Sequence, residues 1–166
     1  NKRQPKVVTN LLRRVGIRTK VKTNTALFDT YRVKAGETPE IIAHKLYGDS
    51  ELHWIVMMVN NITDRYHDWP MNSSQFNSFL QEKYVDSDGN STASDVHHYE
   101  IDQESGSTKT KIEVTDLTNY PNASTVTNFE YEQRRQDELR EIRLLDPEYV
   151  QDFVTEYKAL MNESSI

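Results

Sequence analysis

The side chains best placed to do chemistry are Glu37 and Glu40, two carboxylates three residues apart. Such a pair could serve as acid and base on a glycosidic bond, as in a phage lysozyme. Both fall at the start of a helical pattern, where acids are favoured simply because they face the positive end of the helix dipole. No Ser/His/Asp set, phosphate-binding glycine loop or HExxH motif accompanies them. The sequence therefore reads as non-catalytic. His44, His53, His67, His97 and His98 show no ligand spacing, and His97 and His98, adjacent in a strand pattern, point to opposite faces. Asp86-Ser87-Asp88-Gly89-Asn90 begins like a calcium loop. The EF-hand pattern then requires glycine at its sixth position and glutamate at its twelfth, where this chain has Ser91 and His97. The expectation is no metal and no cofactor.

Two groups of residues suit binding. Trp54, Tyr66 and Trp69 could form a stacking platform for a sugar ring. Lying in an apolar helix and its linker, they read first as anchors of a protein interface, together with Met57 and Met58. The second group is basic. Residues 1–28 carry eight Lys and Arg, among them Arg13, Arg14, Arg18 and Lys20, and no acid, whereas the rest of the chain holds 12 basic and 26 acidic residues. A basic arm on an acidic body calls for an acidic partner. No aromatic residue precedes Phe28 to stack on bases, so the arm reads as one that docks on a protein surface and not on nucleic acid.

Composition bounds what can position these residues. The 166 residues are 36% hydrophobic with a mean hydropathy of -0.79, enough for one modest core with appendages. The absence of cysteine excludes disulfides, thiol chemistry and cysteine-ligated zinc or iron–sulfur sites. The longest apolar run, residues 52–59, is interrupted by His53 and is too short to span a bilayer. The first residues lack the apolar stretch of a signal peptide, and the missing initiator methionine points to a missing N-terminal piece.

The periodicity supplies the elements. Residues 17–22 alternate as a short strand with one wholly basic face, and residues 28–33 read as a second strand. Thr38 and Pro39 then open a helix that runs to Tyr47 and stops at Gly48, a natural left-handed cap. A second helix, capped by Asp49 or Ser50, is apolar on every side: Leu52, Ile55, Val56 and Val59 on one face, Trp54, Met57 and Met58 on the other. It must be covered all round. A third helix opens at Ser73 or Ser74 and ends near Tyr84, with Phe76, Phe79 and Leu80 at helical spacing. Residues 85–95 read as exposed loop, residues 96–101 and 111–117 as a hairpin with a longish connection, and residues 119–127 as loop. Residues 129–145 read as one charged helix, with Glu130 and Arg134, and Asp137 and Arg140, as ion pairs and a narrow stripe of Leu139, Ile142 and Leu145. Asp146-Pro147-Glu148 restarts a last helix with a stripe of Val150, Phe153, Val154, Tyr157, Leu160 and Met161.

Tyr31-Arg32-Val33-Lys34-Ala35-Gly36-Glu37-Thr38, followed by Ile42-Ala43 and Tyr47-Gly48, resembles the opening of a LysM domain, and Asn60-Asn61 resembles the end of its second helix. After Asn61 the chain departs from that pattern: Asp64 to Pro70 stands where a LysM domain turns into its second strand. A second resemblance covers this stretch too. Tyr47-Gly48, Leu52, Trp54-Ile55-Val56-Met57-Met58, Asn60 and Tyr66-His67-Asp68-Trp69, followed by a helix, resemble the baseplate wedge protein 53 family of contractile-tailed bacteriophages. That resemblance implies a structural subunit of the virion tail baseplate, assembled in the host cytoplasm, that joins adjacent wedges into a ring around the hub. Its partners would be other wedge and hub or tail proteins, with no catalysis, cofactor, nucleic acid or membrane. The alternative is a LysM-type module that binds peptidoglycan or chitin through a groove flanked by Gly36, Glu37, Thr38, Asn60 and Asn61. The expected architecture is α+β: a basic arm (1–28), a LysM-like strand–helix–helix unit with a following helix (29–84), a loop and β-hairpin region (85–127), and a C-terminal helical pair (128–166).

Overall fold

The structure is a computed structural model that describes residues 16–17, 25–105 and 108–163. The expected strand at 17–22 lies outside the described residues except for Ile17. The fold is α+β, and the chain divides into two compact units: Asn1–Trp69 with Glu141–Ile166, and Pro70–Arg140.

Unit 1 opens with strand β1 (Phe28–Arg32). Gly36, at φ +79°, allows the turn into helix α1 (Pro39–Tyr47). Thr38 caps α1 by accepting the Ile41 N–H, Pro39 occupies its first turn, and Gly48, at φ +76°, ends it in the left-handed region. Asp49 caps a short 3-10 turn, Ser50–Leu52, that leads into α2 (His53–Val59). The unit is then closed from far along the chain. Residues Glu141–Leu145 form a strand, β5, that pairs antiparallel with β1 in the register Phe28↔Leu145, Thr30↔Arg143 and Arg32↔Glu141. Unit 1 thus has the spatial order strand, helix, helix, strand, with unit 2 inserted between α2 and β5.

This corrects the single helix expected over 129–145. Ile142, Leu144 and Leu145 are all buried, whereas the exposed Glu141 and Arg143 alternate with them. A helical stripe at 139, 142 and 145 leaves Leu144 facing water; a strand puts Ile142 and Leu144 on one face, where β1 and the two helices cover them. The core of unit 1 is two adjoining clusters. Val33, Ile42, Ala43, Val56, Ile62, Trp69, Ile142 and Leu144 form the first, and Ile55, Val59, Leu145 and Val150 the second. Ile55 and Val56, neighbours on α2, are both fully buried, one in each cluster, so one apolar helix feeds both clusters. Asp146 caps the turn Pro147–Tyr149, and helix α5 (Val150–Glu163; labelled after unit 2's helices) follows. Phe153 and Val154 of α5 pack against the second cluster, and Trp54 lies against Phe153 and Tyr157.

Unit 2 begins with helix α3 (Ser73–Lys83). Its cap is Asn72, not Ser73 or Ser74: Asn72 accepts from the Gln75 N–H while the Gln75 side chain accepts from the Asn72 N–H. A three-stranded antiparallel sheet follows, in the order β3 (Thr108–Val114), β2 (Val96–Ser105), β4 (Ser124–Thr127). The β2–β3 ladder runs on to Ser105↔Thr108, so residues 102–105 and 108–110, expected as part of a longish hairpin connection, are paired strand. β4 falls where the sequence reads as loop. It is four residues long with one buried side chain, Val126, too little alternation to register as a period. Helix α4 (Asn128–Arg140) completes the unit; its start is tied to the 92–95 turn by bonds from the Asn128 side chain to the Thr92 carbonyl and from the Phe129 N–H to the Ala93 carbonyl.

Candidate functional site

The glycan alternative centres on Glu37, and its environment is explicit. The side chain is buried, and its carboxylate accepts from the Tyr31 hydroxyl at 2.8 Å, the Lys34 N–H at 2.9 Å and the Lys45 ammonium at 2.6 Å. Burial works against the charge, but the bonds from Lys45, Lys34 and Tyr31 outweigh it and hold the carboxyl below the usual carboxylate range. The Glu37 carbonyl accepts from the Trp69 indole N–H at 2.8 Å. Glu37 is therefore a staple that joins β1, the Gly36 turn, α1 and the segment ending at Trp69. The second carboxylate, Glu40, pairs with Arg65 at 2.6 Å.

Asn60 is equally committed. Its amide nitrogen donates to the carbonyls of Val56 and Arg143, and its amide oxygen accepts the Arg143 N–H, each at 2.8 Å. One carboxamide thus reads both backbone groups that Arg143 turns away from β1, as a neighbouring strand would, and joins the end of α2 to β5. Asn61 adopts a left-handed φ of 57° to turn the chain, and Thr38 is the α1 cap. Gly36 is the exposed hinge of the turn. The polar groups expected to flank a groove at Glu37, Thr38 and Asn60 are used to hold the unit together.

The five expected interface anchors separate. Trp69 is 7% exposed and belongs to the first core cluster. Trp54 and Met57 are half-buried and each touches a core cluster; Met58 is half-buried. Tyr66 is 83% exposed. The turn that presents Tyr66 is locked from within. The Asp68 carboxylate accepts from the Thr63 and Asp64 N–H groups and the Thr63 hydroxyl, and Asp64 accepts from the Tyr66 N–H and contacts His67 Nδ1 at 2.6 Å. The His67 ring and the Tyr66 N–H hold the Asp64 carboxyl below its ordinary range, and the Asp64 and Thr63 N–H groups do the same for Asp68. A large amphipathic ring on a rigid turn is the kind of side chain that anchors interfaces at small entropic cost. Arg13, Arg14, Arg18 and Lys20 of the basic arm lie outside the described residues.

Unit 2 holds two charge clusters that no local spacing in the sequence signals. Glu132, 2% exposed, accepts from the Lys83 ammonium at 2.6 Å and the Tyr84 hydroxyl at 2.8 Å. Burial opposes its charge; Lys83 and Tyr84 prevail and hold the carboxyl below the ordinary range. Glu100 accepts from Arg134 at 2.6 Å, His98 at 3.0 Å and Lys111 at 3.1 Å. Burial again opposes, and these three donors hold its carboxyl down to about 2. Arg134 therefore serves Glu100 on β2, and Glu130, its expected helical partner, caps the Thr127 N–H instead. Helical spacing reveals only partners on the same helix; Arg134 lies 34 positions from Glu100, and Lys83 and Tyr84 lie 49 and 48 from Glu132. Among the described residues no group of three His, Asp or Glu is placed to hold a metal ion, and no helix is long and apolar enough to cross a membrane.

A unit braced by internal bonds, with a presented aromatic turn, suits a structural role. Comparison with known proteins agrees: residues 1–122, well over half of the chain, match a family of structural subunits of the bacteriophage tail baseplate. Within that class the chain belongs to the base plate wedge protein 53 family. It is similar to the baseplate wedge protein gp53 of Enterobacteria phage T4, with 38% identity over 40 residues, a stretch covering 24% of this chain and 20% of that protein. The chain matches about a fifth of the length of this curated relative. Membership of the family makes the chain a component of the virion tail, with a structural role in the baseplate.

Proposed function

We propose that the chain is a non-catalytic wedge subunit that joins adjacent baseplate wedges into a ring around the hub. The family match over residues 1–122 carries this reading. The reading takes unit 1, whose β1 pairs with Glu141–Leu145, as the LysM-like part of the subunit. On this reading Tyr66, with the accessible parts of Trp54 and Met58, contacts the neighbouring wedge protein, and the basic residues Arg13, Arg14, Arg18 and Lys20 add charge contacts. A peptidoglycan-binding role would have to draw on Glu37, Thr38 and Asn60, whose polar groups are bonded within the chain. Affinity capture of the tagged chain from phage-infected cells, read by mass spectrometry, tests the proposal. Baseplate and tail proteins recovered in fixed proportion are the expected result. Recovery of the chain alone, or with cell-wall fragments, would overturn it.

A further inference from the structure

His97 and His98 are adjacent in β2, where a regular strand sends neighbouring side chains to opposite faces. The ladder to β4 is irregular at this point. Val96 pairs with Thr127 and His98 with Val126, so one step along β4 spans two along β2 and His97 is the extra residue of a bulge. A bulge re-aims the side chains that it carries. This one brings the two rings together on one side, with Nδ1 of His97 2.8 Å from Nδ1 of His98 and the ring planes 82° apart. A hydrogen bond between the rings is worth no more than the ladder hydrogen bond that a bulge disrupts. A shared proton alone therefore does not account for the arrangement.

Each ring is also held from behind. The His98 side chain is 10% exposed and sets Nε2 3.0 Å from the Glu100 carboxylate. A carboxylate only accepts, so Nε2 carries the proton and Nδ1 of the neutral ring is left with its lone pair. Glu100 is fixed in turn by Arg134 at 2.6 Å and Lys111 at 3.1 Å. His97 lies flat on Tyr131 of α4, with ring centres 3.9 Å and planes 10° apart. A carboxylate on the far nitrogen is the arrangement that orients metal-binding histidines and raises their basicity. Two nitrogens 2.8 Å apart, each at the usual metal–imidazole distance of about 2.0–2.1 Å, subtend an angle of about 86° at the ion. That angle is too narrow for a tetrahedral ion and suits neighbouring positions of the square or tetragonal geometry that Cu²⁺ and Ni²⁺ prefer.

We infer that His97 and His98 form a two-imidazole chelate for a divalent transition metal of the copper and nickel class, bound through the two Nδ1 atoms. His97 is exposed, so the remaining positions on the ion are open to water, and the site is an open one with two protein ligands. This inference does not depend on the wedge-joining role. The test is calorimetric titration of the full, untagged chain with Ni²⁺. The expected result is saturable uptake of one equivalent per chain, lost in His97→Ala and kept in His67→Ala, which removes a histidine of unit 1. Because the His97 ring is exposed, circular dichroism is expected to be the same in both variants as in the unaltered chain. With Cu²⁺ in place of Ni²⁺, electron paramagnetic resonance is expected to show splitting from two nitrogens. Absence of saturable uptake would overturn the inference, as would uptake that His97→Ala leaves unchanged, uptake lost in His67→Ala, or a copper spectrum with a single coupled nitrogen.

Discussion

At the scale of single residues, the polar side chains that look most like ligand-binding groups act as internal fasteners. Asn60 shows the economy of the arrangement: three hydrogen bonds from one carboxamide connect a helix end to a strand more than eighty residues later. Asn60→Ala strands the Val56 and Arg143 carbonyls and the Arg143 N–H. The expected cost is about 1–3 kcal/mol, measured by urea denaturation. Asn60→Asp is expected not to rescue it, because a carboxylate cannot donate to the two carbonyls. A binding-groove residue would behave differently, losing ligand affinity with stability unchanged.

At the scale of elements, the decisive segment is Glu141–Leu145. The sequence around it favours helix on local grounds, with charged residues on either side and apolar residues at 139, 142 and 145. The strand forms because β1 has two edges to satisfy and the apolar helices α1 and α2 need a sheet to lie against; tertiary demand overrides a weak local preference. Leu144 separates the two readings. It would be a surface residue in the helix and is 4% exposed in the strand. Leu144→Asp is expected to destabilise unit 1 by more than about 3 kcal/mol, as a charge buried without a partner. Because both tryptophans lie in unit 1, fluorescence follows the loss directly; a substitution that leaves the transition in place would return the segment to a helix.

At the scale of the whole molecule, the two units are held by different forces. Both apolar clusters belong to unit 1. Unit 2 buries Leu80, Val114 and Val126 alongside Glu100, Glu132 and Gln136, so much of its definition is ionic. Glu100 sets the consequence for pH. Its carboxyl titrates near 2 in the fold against 4.5 for an unperturbed glutamate, so the folded state binds the proton more weakly than the unfolded one. The stability this supplies is fully present above pH 5 and is lost as pH falls toward 2. Arg134 and Lys111 are about half exposed, so solvent screening reduces the contribution to about 1–2 kcal/mol. Far-UV circular dichroism between pH 5 and 2 is expected to fall before tryptophan fluorescence does. Glu100→Gln is expected to lower stability at pH 7 and to flatten that pH dependence; coincident transitions with an unaltered pH profile would contradict it.

The sequence by itself determined what is local in this protein. Helix α1 was legible to the residue, because Thr38, Pro39 and Gly48 act within one turn of the backbone they cap. The family resemblance was legible for the same reason: its residues, 31–84, are contiguous. The helix read at 51–59, apolar on every side, announced that it must be covered all round, though not by what. Only the tertiary structure decided the rest. It made a strand of 141–145, placed the closing strand of unit 1 after an inserted unit, and put Trp69 in the first core cluster. It also chose distant partners for Arg134, Glu132 and Asn60. In each case the deciding contact joins chain positions well outside one helical turn or one hairpin, and the energy that selects it comes from burial and charge pairing, which no local spacing records.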